Sequence, residues 1–278
     1  PSHGSTSLAI GDNTTCGPSS LALGVSSLSG NYTVSMGVGA GITTLNDSVC
    51  LGYQAGYGHT ASKVKNVYIG SEAGKSCAGD YNVFVGETSG QGRTGSGNTA
   101  VGRQAGYGAY SGDNSTYVGS YAGYNTSGAT NIYIGYYAGV YSEAAASNIC
   151  IGNSAGSSTT GSNNTCLGMA SGASMGTSAS SIFIGNSATG VTNTNNQLII
   201  ANSSTVANNL VTGKFDADVL NRNFSVNGLI QAENYKHNGI TAVKTANYTA
   251  TARDSIVQCD TTAGAFTVTL PAASLKLQ

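Results

Sequence analysis

The feature that most constrains this chain is a short pattern that recurs along it at nearly constant spacing. A polar residue is followed by an apolar one, any residue, a second apolar one and glycine. Two variable residues, a small residue and usually another glycine follow. Asn66-Val67-Tyr68-Ile69-Gly70 leading to Ala73-Gly74 shows it, as does Asn148-Ile149-Cys150-Ile151-Gly152 leading to Ala155-Gly156. The first glycines fall at Gly11, Gly24, Gly37, Gly52, Gly70, Gly86, Gly102, Gly119, Gly135, Gly152, Gly168 and Gly185. The steps begin at 13, 13, 15 and 18 residues and then settle at 16 or 17. Four residues before each of these glycines stands Ser, Thr or Asn, and three residues after stands Ala, Ser or Thr. A final unit, Gln197-Leu198-Ile199-Ile200, carries Ala201 in place of glycine and reads as a terminal copy. Fixed-period self-similarity of this kind marks a repeat architecture.

Apolar-any-apolar is a short strand with two side chains on one face and one on the other. Glycine supplies a backbone conformation that other residues resist, so the chain turns sharply. Sixteen residues suffice for two short strands and two turns, one flattened coil. Stacked coils place like residues above like at about 4.8 Å, the interstrand spacing. The expected fold is therefore all-β, a parallel β-solenoid or β-roll with coils of 16–17 residues. One ladder runs Val67, Val83, Thr99, Thr116, Ile132, Ile149, Thr165, Ile182, and the next Ile69, Val85, Val101, Val118, Ile134, Ile151, Leu167, Ile184. Both are expected to fill the coil interior. The Asn and Ser at the strand starts are expected to stack and bond to the turn backbone.

The middle residues form a third ladder with no charge in it, including Tyr68, Phe84, Ala100, Tyr117, Tyr133, Cys150, Cys166 and Phe183. It points away from the other two, so both faces of the strand want burial. A thin coil has one interior. The middle ladder is therefore expected to meet other copies of the chain along a symmetry axis. Cys150 and Cys166 hold the same place in successive coils. Parallel side-chain vectors would keep their Cβ atoms about as far apart as the coils, beyond the ~3.8 Å that a disulfide prefers. They are expected to pack as thiols.

Motifs such as Asn98-Thr99-Ala100-Val101-Gly102 and Ser7-Leu8-Ala9-Ile10-Gly11 resemble the repeats in the heads of trimeric autotransporter adhesins, and similar repeats occur in phage and large-virus fibre proteins. The resemblance covers about residues 5–201. It implies a homotrimer with the middle ladder at its axis. It departs in period, since those heads use shorter coils and only the first coils here come close.

The repeat ends near residue 202, which gives an expected division into a shaft at 1–201, a neck at 202–240 and the start of a β-rich region at 241–278. The stretch from Leu210 to Asp216, on through Val226-Asn227-Gly228, resembles the neck of phage tail-fibre-like proteins. Residues 255–271 read as a β-hairpin with Ala263-Gly264 near its turn, and resemble a segment of tail-fibre and other virion proteins. A chain that begins at Pro1 and stops at Gln278 without a closing element reads as a piece of something longer.

Composition supplies little for chemistry. Charged residues make up 8 % of the chain, the formal charge is -1, and there are 3 His, each isolated. No basic surplus points to nucleic acid, and no apolar run suits membrane insertion. The six Cys show no zinc spacing, and Asp216 and Asp218, close in sequence, read as a solvated face. Segments such as Ile69-Gly70-Ser71-Glu72-Ala73-Gly74 match the hexapeptide of left-handed β-helix acyltransferases. Those enzymes carry three hexapeptides per coil, whereas this chain carries one. A calcium β-roll needs an Asp in every turn, which is missing. An ice-binding face needs a Thr-x-Thr ladder, and the strands show Cys, Tyr, Phe and Ala instead. No enzyme, cofactor or metal is expected.

Nine of the 16 Tyr lie between Tyr107 and Tyr141. Tyr117 and Tyr133 belong to the expected axis. Tyr107, Tyr124, Tyr136 and Tyr137 are candidate receptor contacts, because Tyr offers large contact area at low entropy cost. Packing of Tyr107, Tyr124 and Tyr57, stacked as the second strand, is the competing reading. The expected function is a structural and adhesive fibre subunit, virion-borne or extracellular, whose partners are itself and a host-surface glycan or protein. A cellular adhesin or filament subunit is the alternative, and a β-helix acyltransferase or glycan depolymerase a third reading.

Overall fold

The computed structural model describes residues 2–3, 6–41, 45–58, 63–108, 111–203, 210–214, 223–226, 240–244, 248–249, 256–259 and 268–269. Contacts divide the chain into two compact units, Pro1–Gly228 and Leu229–Gln278. The first is a parallel β-solenoid. Its main sheet has fifteen strands, of which the first thirteen, from Leu8–Ile10 to Gln197–Ile200, run parallel in sequence order. Each pairs in register with the next copy of the repeat, as in Val67↔Val83, Tyr68↔Phe84 and Ile69↔Val85. The repeat therefore maps one unit to one coil.

Which side of each strand faces inward is the reverse of the sequence expectation. The middle ladder is the core of a single chain. Tyr68, Phe84, Ala100, Tyr117, Tyr133, Cys166 and Phe183 are all 0 % exposed, and Cys150 is 2 %. The flanking ladders point outward, with Ile69, Val83, Val101, Val118, Ile134, Ile149 and Ile182 among the exposed apolar residues. The reason is steric. The opposite wall of the coil is built from the small residue and the second glycine, so the interior admits one large side chain per coil from this strand. The rings of Tyr68, Phe84 and Tyr133 lie flat against Gly74, Gly90 and Gly139, where a Cβ would collide with them. The twelve small residues three places after the first glycine, Thr14 to Ala188, are all buried and complete this packing.

Large core side chains are confined to the longer coils. The first coils, of 13 residues, hold Ala9, Ala22 and Ser35, whereas the longer ones hold Tyr68, Phe84, Tyr117, Tyr133 and Phe183 as well as the smaller Cys50, Ala100, Cys150 and Cys166. In the short coils a second strand closes the section, and Ser2–His3, Thr15–Cys16 and Leu28–Ser29 form a small parallel sheet. After the pair Leu45–Asn46 and Lys63–Val64, the described coils have turns on that side instead of the expected second strand. Left-handed residues at Glu72, Gly74 and Ser76 (φ 56°, 63° and 57°) keep the chain from extending there. The turns still bond coil to coil, as in Gly92 N–H to the Lys75 carbonyl at 2.9 Å.

Ala100 is the one small core residue in the long coils between Tyr68 and Tyr133. Arg93, 0 % exposed, packs beside that section. Its guanidinium donates to the Tyr117 hydroxyl (3.0 Å) and to the carbonyls of Gly106 (3.2 Å) and Gly112 (3.4 Å). It also lies 4.8 Å from the Tyr117 ring centroid. Among the described residues no carboxylate pairs with it.

The residues that open each strand form a buried polar ladder, as expected. The Asn66 amide oxygen accepts from the Asn82 N–H (2.8 Å), Asn82 from Asn98 (2.8 Å), and Asn98 from Ser115 (2.9 Å). Their amide NH₂ groups donate to the carbonyls of Gly79, Gly95 and Gly112. Each side chain thus satisfies two buried backbone groups, the Gly112 carbonyl being shared with Arg93.

After Gln197–Ile200 the sheet continues with two antiparallel strands, Val211–Lys214 and Asn223–Val226. In the second unit, Ile240–Lys244 pairs parallel with Ile256–Cys259, and Tyr248–Thr249 parallel with Val268–Thr269. The expected hairpin is therefore not the pairing found. Its two arms each find an earlier strand, as coils do, and Ala263-Gly264 lies outside the described residues. So do Asp216 and Asp218.

Candidate functional site: an apolar sheet face and a tyrosine wall

The outward side chains of the thirteen parallel strands make two columns. One contains Leu8, Val34, Val67, Thr99, Ile132 and Ile182; the other contains Ile10, Met36, Ile69, Val101, Ile134 and Ile184. Neither column holds a charged residue. From strand spacing and rise, the face is roughly 60 Å by 10 Å, or roughly 600 Å². That reaches the top of the ~300–600 Å² range of the largest patch on ordinary monomers. Thr occurs only in the first column, at Thr99, Thr116 and Thr165, so the outward face is aliphatic and lacks a Thr-x-Thr array.

The second surface lies on the turns. Tyr107 and Tyr124, one coil apart, stack with centroids 5.1 Å apart and planes at 7°. Tyr121 and Tyr137 stack likewise, at 4.9 Å and 16°. Tyr121 joins the two stacks through Tyr124 at 5.8 Å. Tyr136 stands edge-on to Tyr137 (4.2 Å), and Tyr141 to Tyr124 (5.9 Å). The candidate contacts Tyr107, Tyr124, Tyr136 and Tyr137 are thus one cluster, while Tyr117 and Tyr133 are sealed in the core. Sequence reasoning missed Tyr121 and Tyr141; their positions relative to Gly119 and Gly139 would have placed them on the same side. The Arg103 guanidinium lies 5.4 Å from the Tyr121 ring and pairs with Glu87 at 3.3 Å. A hydrogen bond with Tyr136 raises the Tyr137 phenol.

The core holds ionisable groups but no chemistry around them. Burial pushes Cys50 and Cys77 up to about 12. Cys150 rises as well, first through its hydrogen bond with Cys166 and then through burial. The two are register partners and free thiols. Such thiols are closed to water and held protonated, the opposite of a reactive cysteine. A cleft of about 290 Å³ opens beside the antiparallel strands, lined by Gln197, Ile199, Thr212 and Lys214 among others. Its lining carries one ionisable side chain, so it offers no acid–base pair. Among the described residues no group of three His, Cys, Asp or Glu is placed to hold a metal ion, and no helix is long and apolar enough to cross a membrane. No protein-family model matches the chain, and no curated protein is similar to it.

Proposed function

We propose that this chain is a structural and adhesive subunit of a virion fibre, phage-like tail or capsid, working as a homotrimer that gives reach and surface attachment. The observation that carries the reading is the outward apolar face. A single chain leaves two uncharged columns, thirteen strands long, half open to water, and self-association would remove them. The columns have the same period as their own copies, so parallel chains meet like on like. The number three and the virion setting rest on the resemblance of the repeat and of the segments after Leu210. The middle ladder, being intrachain core, has no part in the interface; its flanking columns take that place.

The work assigned is mechanical and needs no catalytic group. Residues 104–213 carry only two charged side chains, Asp113 and Glu143, and no His. Solubility comes from hydroxyls and amides, and resistance to unfolding from ladder bonds. The cellular reading, a surface adhesin with the same shaft, rests on the first coils, whose 13-residue steps come nearest to adhesin heads.

Sedimentation and native mass spectrometry test the assembly. The expected mass is three times the 27.7 kDa chain. A paired substitution, Ile134→Asp with Ile151→Asp, should give monomers that keep their β-sheet circular dichroism. A wild-type monomer at micromolar concentration, or a trimer untouched by the two aspartates, would sink the interface.

A further inference from the structure

We infer that the tyrosine wall is a carbohydrate-binding surface for uncharged pyranose chains, an inference that rests on the attachment role and names its ligand. The solenoid does not need these tyrosines. At the place of Tyr121 and Tyr137 other coils carry Gln54, Glu72, Thr88 or Ala170, and at the place of Tyr107 and Tyr124 they carry Tyr57, Lys75, Gln91 or Ala173. The left-handed turn does not call for tyrosine either: φ is 60° at Tyr121 and 56° at Tyr137, and equally 50° at Gln54, 56° at Glu72 and 51° at Thr88. Six such rings in three successive coils, with Tyr136 49 % and Tyr141 53 % exposed, form a built surface that the core does not use.

The local chemistry selects the occupant. Backbone pairing is spent: the N–H groups of Tyr121 and Asn125 donate to Arg103 and Tyr107 of the coil before. An extended peptide would find no free edge to extend. An anionic ligand would find Arg103 already paired with Glu87. What the wall does offer is apolar ring surface rimmed by hydroxyls. A sugar ring presents the complement, C–H bonds on its faces and hydroxyls at its edge. Affinity per chain should be modest and multiplied by the copies in the assembly.

The chain lacks Trp, and six of its 16 Tyr stand in the wall, so tyrosine fluorescence should change when the wall is occupied. The intact chain would be titrated with cellohexaose, maltohexaose and N-acetylchitohexaose, and with an acidic hyaluronan oligosaccharide. At least one neutral oligosaccharide should bind saturably. Tyr136→Ser combined with Tyr141→Ser, at the two most exposed rings, should weaken it about tenfold with the thermal midpoint unchanged. Tyr107→Phe, which keeps its ring, should bind within about twofold of wild type if stacking dominates. Absence of saturable binding to all three, undiminished binding by the double variant, or preference for the acidic oligomer would overturn the inference. So would a double variant that lost self-association, since the wall would then be a contact between copies. Sedimentation separates the two claims: a trimer that binds no sugar rejects the ligand and leaves the assembly standing.

Discussion

At the residue scale, the position of Arg93 shows volume overruling polarity. A lone guanidinium inside a solenoid is a poor source of stability, because carbonyls offset only part of the lost hydration. Its packing beside the small Ala100 section gives it another role, that of filler. Arg93→Met should therefore fall within about 1.5 kcal/mol of wild type or exceed it, whereas Arg93→Ala should lose about 2–4 kcal/mol. Urea denaturation checks both, and equal losses would show that the hydrogen bonds matter more than the volume. The buried thiols set a pH limit. Cys50 and Cys77 have folded-state values near 12 against an ordinary 9.0. The unfolded chain releases these protons first, so their contribution is whole below pH 9.0 and lost as pH rises toward about 12. The denaturation midpoint should hold from neutrality to about pH 9.0 and then fall. With Cys50→Ala and Cys77→Ala combined, the alkaline slope should be shallower, whatever the variant's starting stability.

At the element scale, a coil is held by glycine on one side of the strand and by the polar ladder on the other. Gly70 has φ 133°, and a Cβ there would lie 2.5 Å from the Gly86 carbonyl oxygen. Gly70→Ala should cost more than the ~1 kcal/mol of an ordinary Gly-to-Ala strain, because the next coil must also move. Replacing Asn148 by Leu would strand the Asn164 N–H, its partner at 2.7 Å, and take from the Gly161 carbonyl one of its two donors, leaving the Asn164 amide at 3.1 Å. That loss should reach about 1–3 kcal/mol, while Asn148→Ser, a residue the ladder already accepts at Ser115 and Ser181, should cost less. Both readings are open to thermal melts of the variants. These roles were legible beforehand, since a glycine and a polar residue in fixed register around a three-residue strand have few structural uses. The turns opposite were not, because left-handed residues such as Gln54, Glu72 and Thr88 carry no shared side-chain signal.

At the scale of the whole molecule, the proposed assembly rests on the outward face rather than on the core. Its two columns contain no charge, so assembly through them should be insensitive to salt. Sedimentation at low and at molar salt should give the same species; dissociation at high salt would point to ionic contacts and away from this face. The tyrosine wall, confined to coils that follow Gly102, Gly119 and Gly135, then sits as a local addition on a uniform shaft.

The period, one repeat per coil, the register of the strands and the stacked Asn and Ser were all determined by the sequence, because each follows from spacing along the chain. Which face lay inside was not. Val67 and Ile69 outnumber Tyr68, and with no charge on either side of the strand hydrophobicity could not choose between them. Tertiary packing chose: the wall opposite is Ala and Gly, which leaves room for one ring and not for two branched side chains. The contrast of Ala9 and Ala22 in the short coils with Tyr68 and Phe84 in long ones was a partial trace of that choice in the sequence, since Ala100 and Cys166 also stand in long coils. Its meaning depended on the cross-section of the coil, which only the folded chain defines.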